Sequence, residues 1–268
     1  MKVKPGPEGR LVYQDESLAL FAADCRDMQE LPDNSINLVI TDPPFNVYVD
    51  YGMDTDDHQQ PEAYGAWTRE WLQEVERVLQ PGGQLFALLP YKWMKTWLPH
   101  FPEPWHTLAW VKTTPLYLAQ EKTFIRGWEP IFWHVKGQKM PTTWHKAYTY
   151  EGDRDWFIGP NAVGETRRVG WKQDHPTPRP DWLYERLIQK CSNPGDVVLD
   201  PFFGTGTGGA AARKLGRRFI GYDIKREYVE AAALHLSQQA FPTDWMELAE
   251  PVEKEEPQLR WEELWKPL

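Results

Sequence analysis

An acid, two prolines and an aromatic residue, Asp42-Pro43-Pro44-Phe45, follow directly on the apolar run Ile36-Asn37-Leu38-Val39-Ile40 and Thr41. That run predicts a short buried strand. Each proline fixes φ and removes an N–H, and Pro44 pushes Pro43 toward an extended conformation. The product is a stiff turn at the mouth of a sheet, presenting one carboxylate, backbone carbonyls and a ring. Such a turn suits a flat molecule with an amino group, offering acceptors for its two N–H bonds and a ring for its face. The same residues also make an ordinary strand-ending turn. Taken alone they leave both readings open.

A second constellation lies about 160 positions later. Val197-Val198-Leu199 reads as a strand ending at Asp200, and Pro201-Phe202-Phe203-Gly204-Thr205-Gly206-Thr207-Gly208-Gly209 then opens a helix. Glycines there let a ligand approach the backbone, and a helix N-terminus offers free N–H groups. The next strand, Arg218 to Tyr222, ends at Asp223-Ile224, about where an acid binds a ribose diol. Strand, loop, helix, strand and terminal acid together specify an adenosine-bearing cofactor. A nicotinamide or flavin would set a diphosphate on the helix, whereas S-adenosylmethionine carries a cationic sulfur. Asp24, Asp42 and Asp200 at strand ends, with the rings of Phe202 and Phe203, suit the cation better.

Alternating strands and helices must position these residues. Leu18 to Ala23 predicts a strand ending at Asp24-Cys25, and Met28 and Leu31 mark a short helical turn. Trp67, Trp71, Leu72, Val75, Val78 and Leu79 recur at helical spacing, with Pro81-Gly82-Gly83 as the stop and a strand from Leu85 to Leu89. Leu108 to Val111 and Pro130 to Trp133 are further strands, and Pro180 starts a helix carrying Leu183, Leu187 and Ile188 on one face. The alternation implies an α/β fold with a doubly wound, mostly parallel sheet. The chain divides into a leader (1–14), a catalytic half (15–135), an irregular inserted lobe (136–173), a cofactor half (174–240) and an acidic tail (241–268). The tail packs on the domain or on a second copy of the chain, which leaves a homodimer open.

The 268 residues carry a formal net charge of −9, unevenly spread. Residues 112–190 hold 13 basic against 9 acidic side chains, while 1–111 hold 8 against 17. A basic middle between acidic ends fits a surface that meets nucleic acid, although the overall balance disfavours indiscriminate DNA affinity. Cys25 and Cys191 are the only cysteines, too few for a disulfide framework or a structural zinc site. No metal is expected, and with no membrane-length apolar run and no signal-peptide core in the opening residues, a cytoplasmic protein without a membrane partner is expected.

Thr41-Asp42-Pro43-Pro44-Phe45, then His175-Pro176-Thr177-Pro178-Arg179-Pro180, then Asp200-Pro201-Phe202-Phe203-Gly204-Thr205-Gly206 resemble, in that order, the beta group of DNA amino-methyltransferases. The resemblance covers roughly residues 15–239. It implies a methyltransferase fold with permuted motif order, S-adenosylmethionine as cofactor and double-stranded DNA as substrate, in a restriction-modification setting. Asp42, Pro43, Pro44 and Phe45 match the catalytic turn. Asp200, Phe203, Gly204, Thr205 and Gly206 match the methionine-side loop, with Phe202 and Thr207 beside them. Asp223 matches the ribose acid, followed by Ile224. Asp24 and Cys25 stand where the family contacts the adenine ring of the cofactor. His175, Pro176, Thr177 and Arg179 match a motif beside the cofactor carboxylate, and Trp110-Val111-Lys112 and Glu129-Pro130-Ile131 look like later strand motifs. This sequence departs from the pattern at Phe45 (commonly Tyr), at Arg179 (commonly Lys) and in the looser Gly206-Thr207-Gly208-Gly209.

The resemblance implies methyl transfer to a base flipped out of the duplex. Adenine N6 is expected, because Asp begins the turn where cytosine-specific relatives usually have Ser; cytosine N4 is the alternative. An oxidoreductase would explain Gly204 to Asp223 but leave the Asp42 turn idle. Target recognition is expected from the lobe, with Lys139, Lys146, Arg154, Arg167, Arg168 and Lys172 as DNA contacts.

Overall fold

Short runs of Leu, Ile, Val and Phe, buried on both sides, build the strands at the centre of the protein. The computed structural model describes residues 6–47, 58–103, 105–114, 127–146, 153–162 and 179–238. Its strands are β1 (Leu11–Gln14), β2 (Leu18–Ala22), β3 (Ile36–Thr41), β4 (Leu79–Leu88), β5 (Trp105–Lys112), β6 (Trp128–Val135), β7 (Trp156–Gly159), β8 (Val197–Asp200) and β9 (Arg218–Asp223). They join in one sheet of order β1-β2-β9-β8-β3-β4-β6-β5-β7. The block from β2 to β4 is parallel throughout. β1 and β6 run antiparallel to their neighbours.

Successive side chains of a strand face opposite sides, and each side has its own core. Leu38 and Ile40 of β3 pack with α3 (Asp181–Cys191), α4 (Thr207–Lys214) and α5 (Arg226–Ser237). Val39 packs on the other side with Trp71, Leu72 and Val75 of α1 (Pro61–Val78) and with Trp97 of α2 (Met94–Trp97). The result is a three-layer sandwich, helices over both faces of a mostly parallel sheet, as the alternation predicted.

Chain direction then determines where a ligand fits. β3 continues through α1 to β4 on one side, and β8 continues through α4 to β9 on the other. The two strands are neighbours, so their outgoing chains diverge and open a crevice at their C-terminal ends. Asp42 and Asp200 stand at that crevice. Thr41 closes its floor by donating its hydroxyl to Asp200 Oδ1 at 2.9 Å.

Three local expectations change. Pro81-Gly82-Gly83 does not separate a helix from a strand, because α1 ends at Val78 and β4 begins at once. The three residues form an irregularity inside β4, whose register jumps from Ile36↔Leu79 to Leu38↔Gln84. Gly82 takes φ +76 there, while its N–H bonds the Lys136 carbonyl and its own carbonyl takes the Thr142 N–H. Leu11–Gln14, assigned to the leader, is the edge strand β1. The lobe is not wholly irregular either, since Trp156–Gly159 adds to the sheet parallel to β5. Both strands have four residues, too few to show alternation. The tail 241–268 lies outside the described residues.

Gly221 ties the fold to the crevice. A Cβ at this position in β9 would stand 2.7 Å from Phe203 Cγ. The Phe203 N–H bonds the Tyr222 carbonyl at 3.1 Å, so the ring lies over Gly221 with little room to retreat. Gly221→Val is expected to cost about 1–3 kcal/mol through overpacking, read as a lower urea midpoint at unchanged slope.

Candidate active site

The turn after β3 is braced from three directions. Pro43 and Pro44 end the strand, and the Pro44 carbonyl accepts the Tyr64 hydroxyl of α1 at 3.1 Å. Asn46 takes φ +54; its side chain accepts the Gln59 N–H at 2.6 Å and donates to the Gln59 carbonyl at 2.8 Å. The Asn46 carbonyl accepts the Trp93 indole N–H at 2.9 Å. A segment with two prolines, hydrogen-bonded to α1 and to the turn before α2, has little freedom left. Asp42 therefore leaves the sheet on a rigid mount.

Arg179, just before α3, meets the Asp42 carboxylate side-on, with Nε 2.5 Å from Oδ2 and Nη2 2.7 Å from Oδ1. Its Nη1 donates to Glu129 of β6 at 2.8 Å, and Glu129 also accepts from Lys112 Nζ of β5. Burial raises the Asp42 pKa, and Arg179 works against that rise. Burial acts on Glu129 in the same direction, yet Arg179 and Lys112 hold its carboxyl below the usual range.

The glycine-rich loop bends back under its own first residue. Asp200 is buried, and its Oδ1 accepts the Phe202 N–H at 3.0 Å as well as the Thr41 hydroxyl. Gly206 caps α4 at φ +89, a conformation that favours glycine. Asp223, at the end of β9, accepts the Gly204 N–H at 3.1 Å and the Lys225 N–H at 2.8 Å. Asp24 is held by Arg26, which also reaches Glu70 of α1.

These parts enclose a cavity of about 540 Å³, within the size range of small-molecule sites. Asp42 and Pro44 border it on one side, and Asp24 and Cys25 on another. Asp200, Phe202, Phe203, Gly204, Thr205 and Thr207 line it from the end of β8, and Asp223 and Ile224 line it from the end of β9. Arg179 and Tyr184 complete the wall beside Asp42. Pro43, Phe45 and Gly206 are not among the lining residues: Pro43 is buried within the turn, Gly206 shapes the loop, and Phe45 has the Arg179 guanidinium 5.2 Å from its ring centroid. His175, Pro176 and Thr177 lie outside the described residues.

Sequence reasoning missed Tyr64, Trp67 and Glu70, which α1 contributes to the cavity, and Tyr184 from α3. Of these only Trp67 belonged to the helical spacing read in the sequence, and that spacing marked α1 as a packing element only. Trp67 nevertheless stands 5.4 Å from Phe202, ring to ring, and shares the cavity wall with it.

Of the expected DNA contacts, the described ones, Lys139, Lys146 and Arg154, do not line this cavity. Lys139 follows Lys136, whose Nζ donates to the Leu79 carbonyl at 2.7 Å, where β4 begins and therefore opposite the Asp42 end. Lys146 follows His145, whose N–H bonds the carbonyl of Lys190 near the C-terminus of α3. Arg154 lies 4.8 Å from the centroid of the Trp156 ring, at the start of β7. Arg167, Arg168 and Lys172 lie outside the described residues. Among the described residues no group of His, Cys, Asp and Glu could hold a metal ion, and no helix is long and apolar enough to cross a membrane.

The family model described as DNA methylase matches residues 36–234. The Type II methyltransferase M.HpaI of Haemophilus parainfluenzae is 34% identical over 236 residues, covering 79% of this chain and 71% of that protein. The cytosine-N4-specific PvuII DNA methyltransferase shares the fold, with a TM-score of 0.71 at 18% identity over 90% of this chain and 93% of that one. M1.HpyAVI, solved as a complex with SAM, has a TM-score of 0.58 at 23% identity, covering 81% of this chain and 99% of that one.

The cavity floor predicts a pH response. Burial, reinforced by neighbouring carboxylates, pushes Asp200 up to about 7, and burial pushes Asp223 up to about 6. In the unfolded chain both ionise near the ordinary 3.8, so between these values the folded protein binds more protons and its stability falls as pH rises from about 4 to about 7. Asp200→Asn keeps an acceptor for Thr41 and Phe202 but cannot ionise. It should flatten the decline of Tm between pH 5 and pH 8 in the ligand-free protein; an unchanged slope would assign the decline elsewhere.

Proposed function

This chain belongs to the DNA methylase family, and from that premise we propose that it methylates the N6 amino group of an adenine flipped out of duplex DNA. That it is a DNA methyltransferase using S-adenosylmethionine follows from the family match and the identity to M.HpaI. The choice of adenine N6 rests on Asp42, a carboxylate on a rigid turn at the cavity.

The cavity fits the cofactor chemically. Asp24, Asp42, Asp200 and Asp223 surround it, and Arg26 and Arg179 on its wall are already paired with two of them. Four carboxylates favour a cation and oppose a diphosphate, which argues against a dinucleotide and so against an oxidoreductase. Asp223 would hold the ribose hydroxyls, Asp24 and Cys25 would border the adenine, and Asp200 with the Phe202-Phe203-Gly204 loop would hold the methionine side. When bound, S-adenosylmethionine supplies a methyl group on a positively charged sulfur, open to displacement by a nitrogen lone pair.

An exocyclic amine conjugated to its ring is a weak nucleophile. In this reading the Asp42 carboxylate and the Pro43 carbonyl accept its two N–H bonds and turn the lone pair out of the ring plane. Because Tyr64, Gln59 and Trp93 already fix the turn, the acceptors need little reorganisation as charge develops on nitrogen. Positioning of donor and acceptor in one crevice supplies the rest. Phe45 offers its ring to the flipped base. Asp in place of the Ser usual in cytosine-specific relatives favours adenine.

Incubation with labelled S-adenosylmethionine and DNA, followed by digestion to nucleosides, tests this directly. Label is expected on N6-methyladenine; label on N4-methylcytosine would transfer the same mechanism to the other base, and none would remove the activity. Asp42→Ala should retain cofactor binding and lose on the order of 10²-fold or more in kcat, the scale of losing a preorganised polar group. Near-wild-type turnover would take Asp42 out of the chemistry.

A further inference from the structure

Four charged groups form a chain behind the proposed catalytic turn. Lys112 Nζ donates to Glu129, Glu129 accepts Arg179 Nη1 at 2.8 Å, and Arg179 holds both oxygens of Asp42. Two cations and two anions alternate, so the set is neutral as a whole. It draws on β5, β6, the start of α3 and the end of β3, elements far apart in sequence. The guanidinium lies 5.2 Å from the Phe45 ring centroid and 5.7 Å from that of Trp110. Rings on its flanks and carboxylates on its edges leave it one orientation.

A carboxylate has about four lone-pair directions, two on each oxygen. A side-on guanidinium fork uses one on each oxygen and fixes the plane of the group. One direction per oxygen then stays available for an amine N–H. Resting on the methyltransferase reading above, we propose that Arg179 is a positioning residue for methyl transfer, holding Asp42 as an oriented anion, and that Glu129 holds Arg179 in place. The family resemblance implies a different role, beside the cofactor carboxylate. In this chain three of the five N–H bonds of the guanidinium are directed at protein carboxylates instead. The lysine usual in the family would supply charge without the fork.

Electrostatics point the same way. Burial raises the Asp42 pKa; Arg179 is the main group opposing this, Lys112 assists, and Glu129 pushes upward. Tyr184 of α3 and Asp200 at the end of β8 also face Asp42 closely enough to interact with it. Loss of Arg179 would leave Asp42 among burial, Glu129 and Asp200, all favouring the protonated form, which is a weaker acceptor for an amine N–H.

The test uses the full chain with Arg179→Gln, Arg179→Lys and Glu129→Gln. It reads S-adenosylmethionine binding by calorimetry, single-turnover transfer against pH, and the Asp42 carboxyl titration by carbon-13 NMR. Arg179→Gln is expected to slow transfer by roughly 10²-fold with cofactor affinity nearly unchanged. The acid limb of the rate profile and the Asp42 titration should both move to higher pH. Arg179→Lys should restore part of the rate, and it covers the case in which Arg179→Gln fails to fold. Glu129→Gln should lower the rate by about 10-fold in the same manner. In an Asp42→Asn background Arg179→Gln should add little, the sign of two residues acting as one unit. Weakened cofactor binding with an unchanged saturated rate would overturn the proposal, as would additive losses or an unmoved Asp42 titration. If the wild type transfers no methyl group, the methyltransferase reading itself falls, and the NMR titration, which needs no turnover, tells that failure apart.

Discussion

Burying like charges together is the constraint around which this protein is arranged. Four strand ends deliver Asp24, Asp42, Asp200 and Asp223 to one cavity, and the geometry of a parallel sheet leaves no choice about that side. Each acid is compensated differently. Arg26 holds Asp24, the Arg179–Glu129–Lys112 chain holds Asp42, and two backbone N–H groups hold Asp223. Asp200 has one hydroxyl and one N–H, with Asp42 and Asp223 as its charged neighbours, and burial together with these neighbours pushes it up to about 7. A site with this imbalance favours a cation.

Rigidity is concentrated on the acceptor side. The turn carrying Asp42 has two prolines and hydrogen bonds from three outside residues, and its carboxylate is fixed again by a bidentate arginine. The donor side is built from glycines in left-handed conformations, Gly204 and Gly206, whose loop closes over Asp223. A loop without side chains at those positions lets a ligand approach the backbone closely. One half of the crevice thus fixes a direction and the other half fits a shape.

Much of this was legible in the sequence. The apolar runs, the turn residues after β3 and the glycines after β8 each carry a local signal, and the sheet and cavity assemble them in the expected relation. What stayed hidden depends on contacts rather than on pattern. Trp67 read as the buried face of a helix and Tyr64 was not assigned to that helix at all, and only the crossing of α1 over the crevice turns both into cavity wall. Glu129 read as a strand residue, and only the antiparallel insertion of β6 between β4 and β5 brings it beside Arg179. β1 and β7 are too short to show alternation. Positive charge in the lobe identified basic residues without locating them, and Lys139 and Lys146 lie toward the end of the sheet away from Asp42.

The order of motifs along the chain matters less than the adjacency of β3 and β8. Thr41 and Asp200 are 159 positions apart and share a hydrogen bond of 2.9 Å. Any connection that leaves these two strands parallel and neighbouring, with their outgoing chains diverging, produces the same crevice. The acid-proline turn could then precede the glycine loop or follow it without altering the chemistry between them. A permuted chain is consequently no obstacle to the function proposed. It does place the basic middle of the sequence between the two halves of the site, so the segments from Thr114 to Gly127 and from Ala162 to Arg179 leave and re-enter the fold at the catalytic end of the sheet.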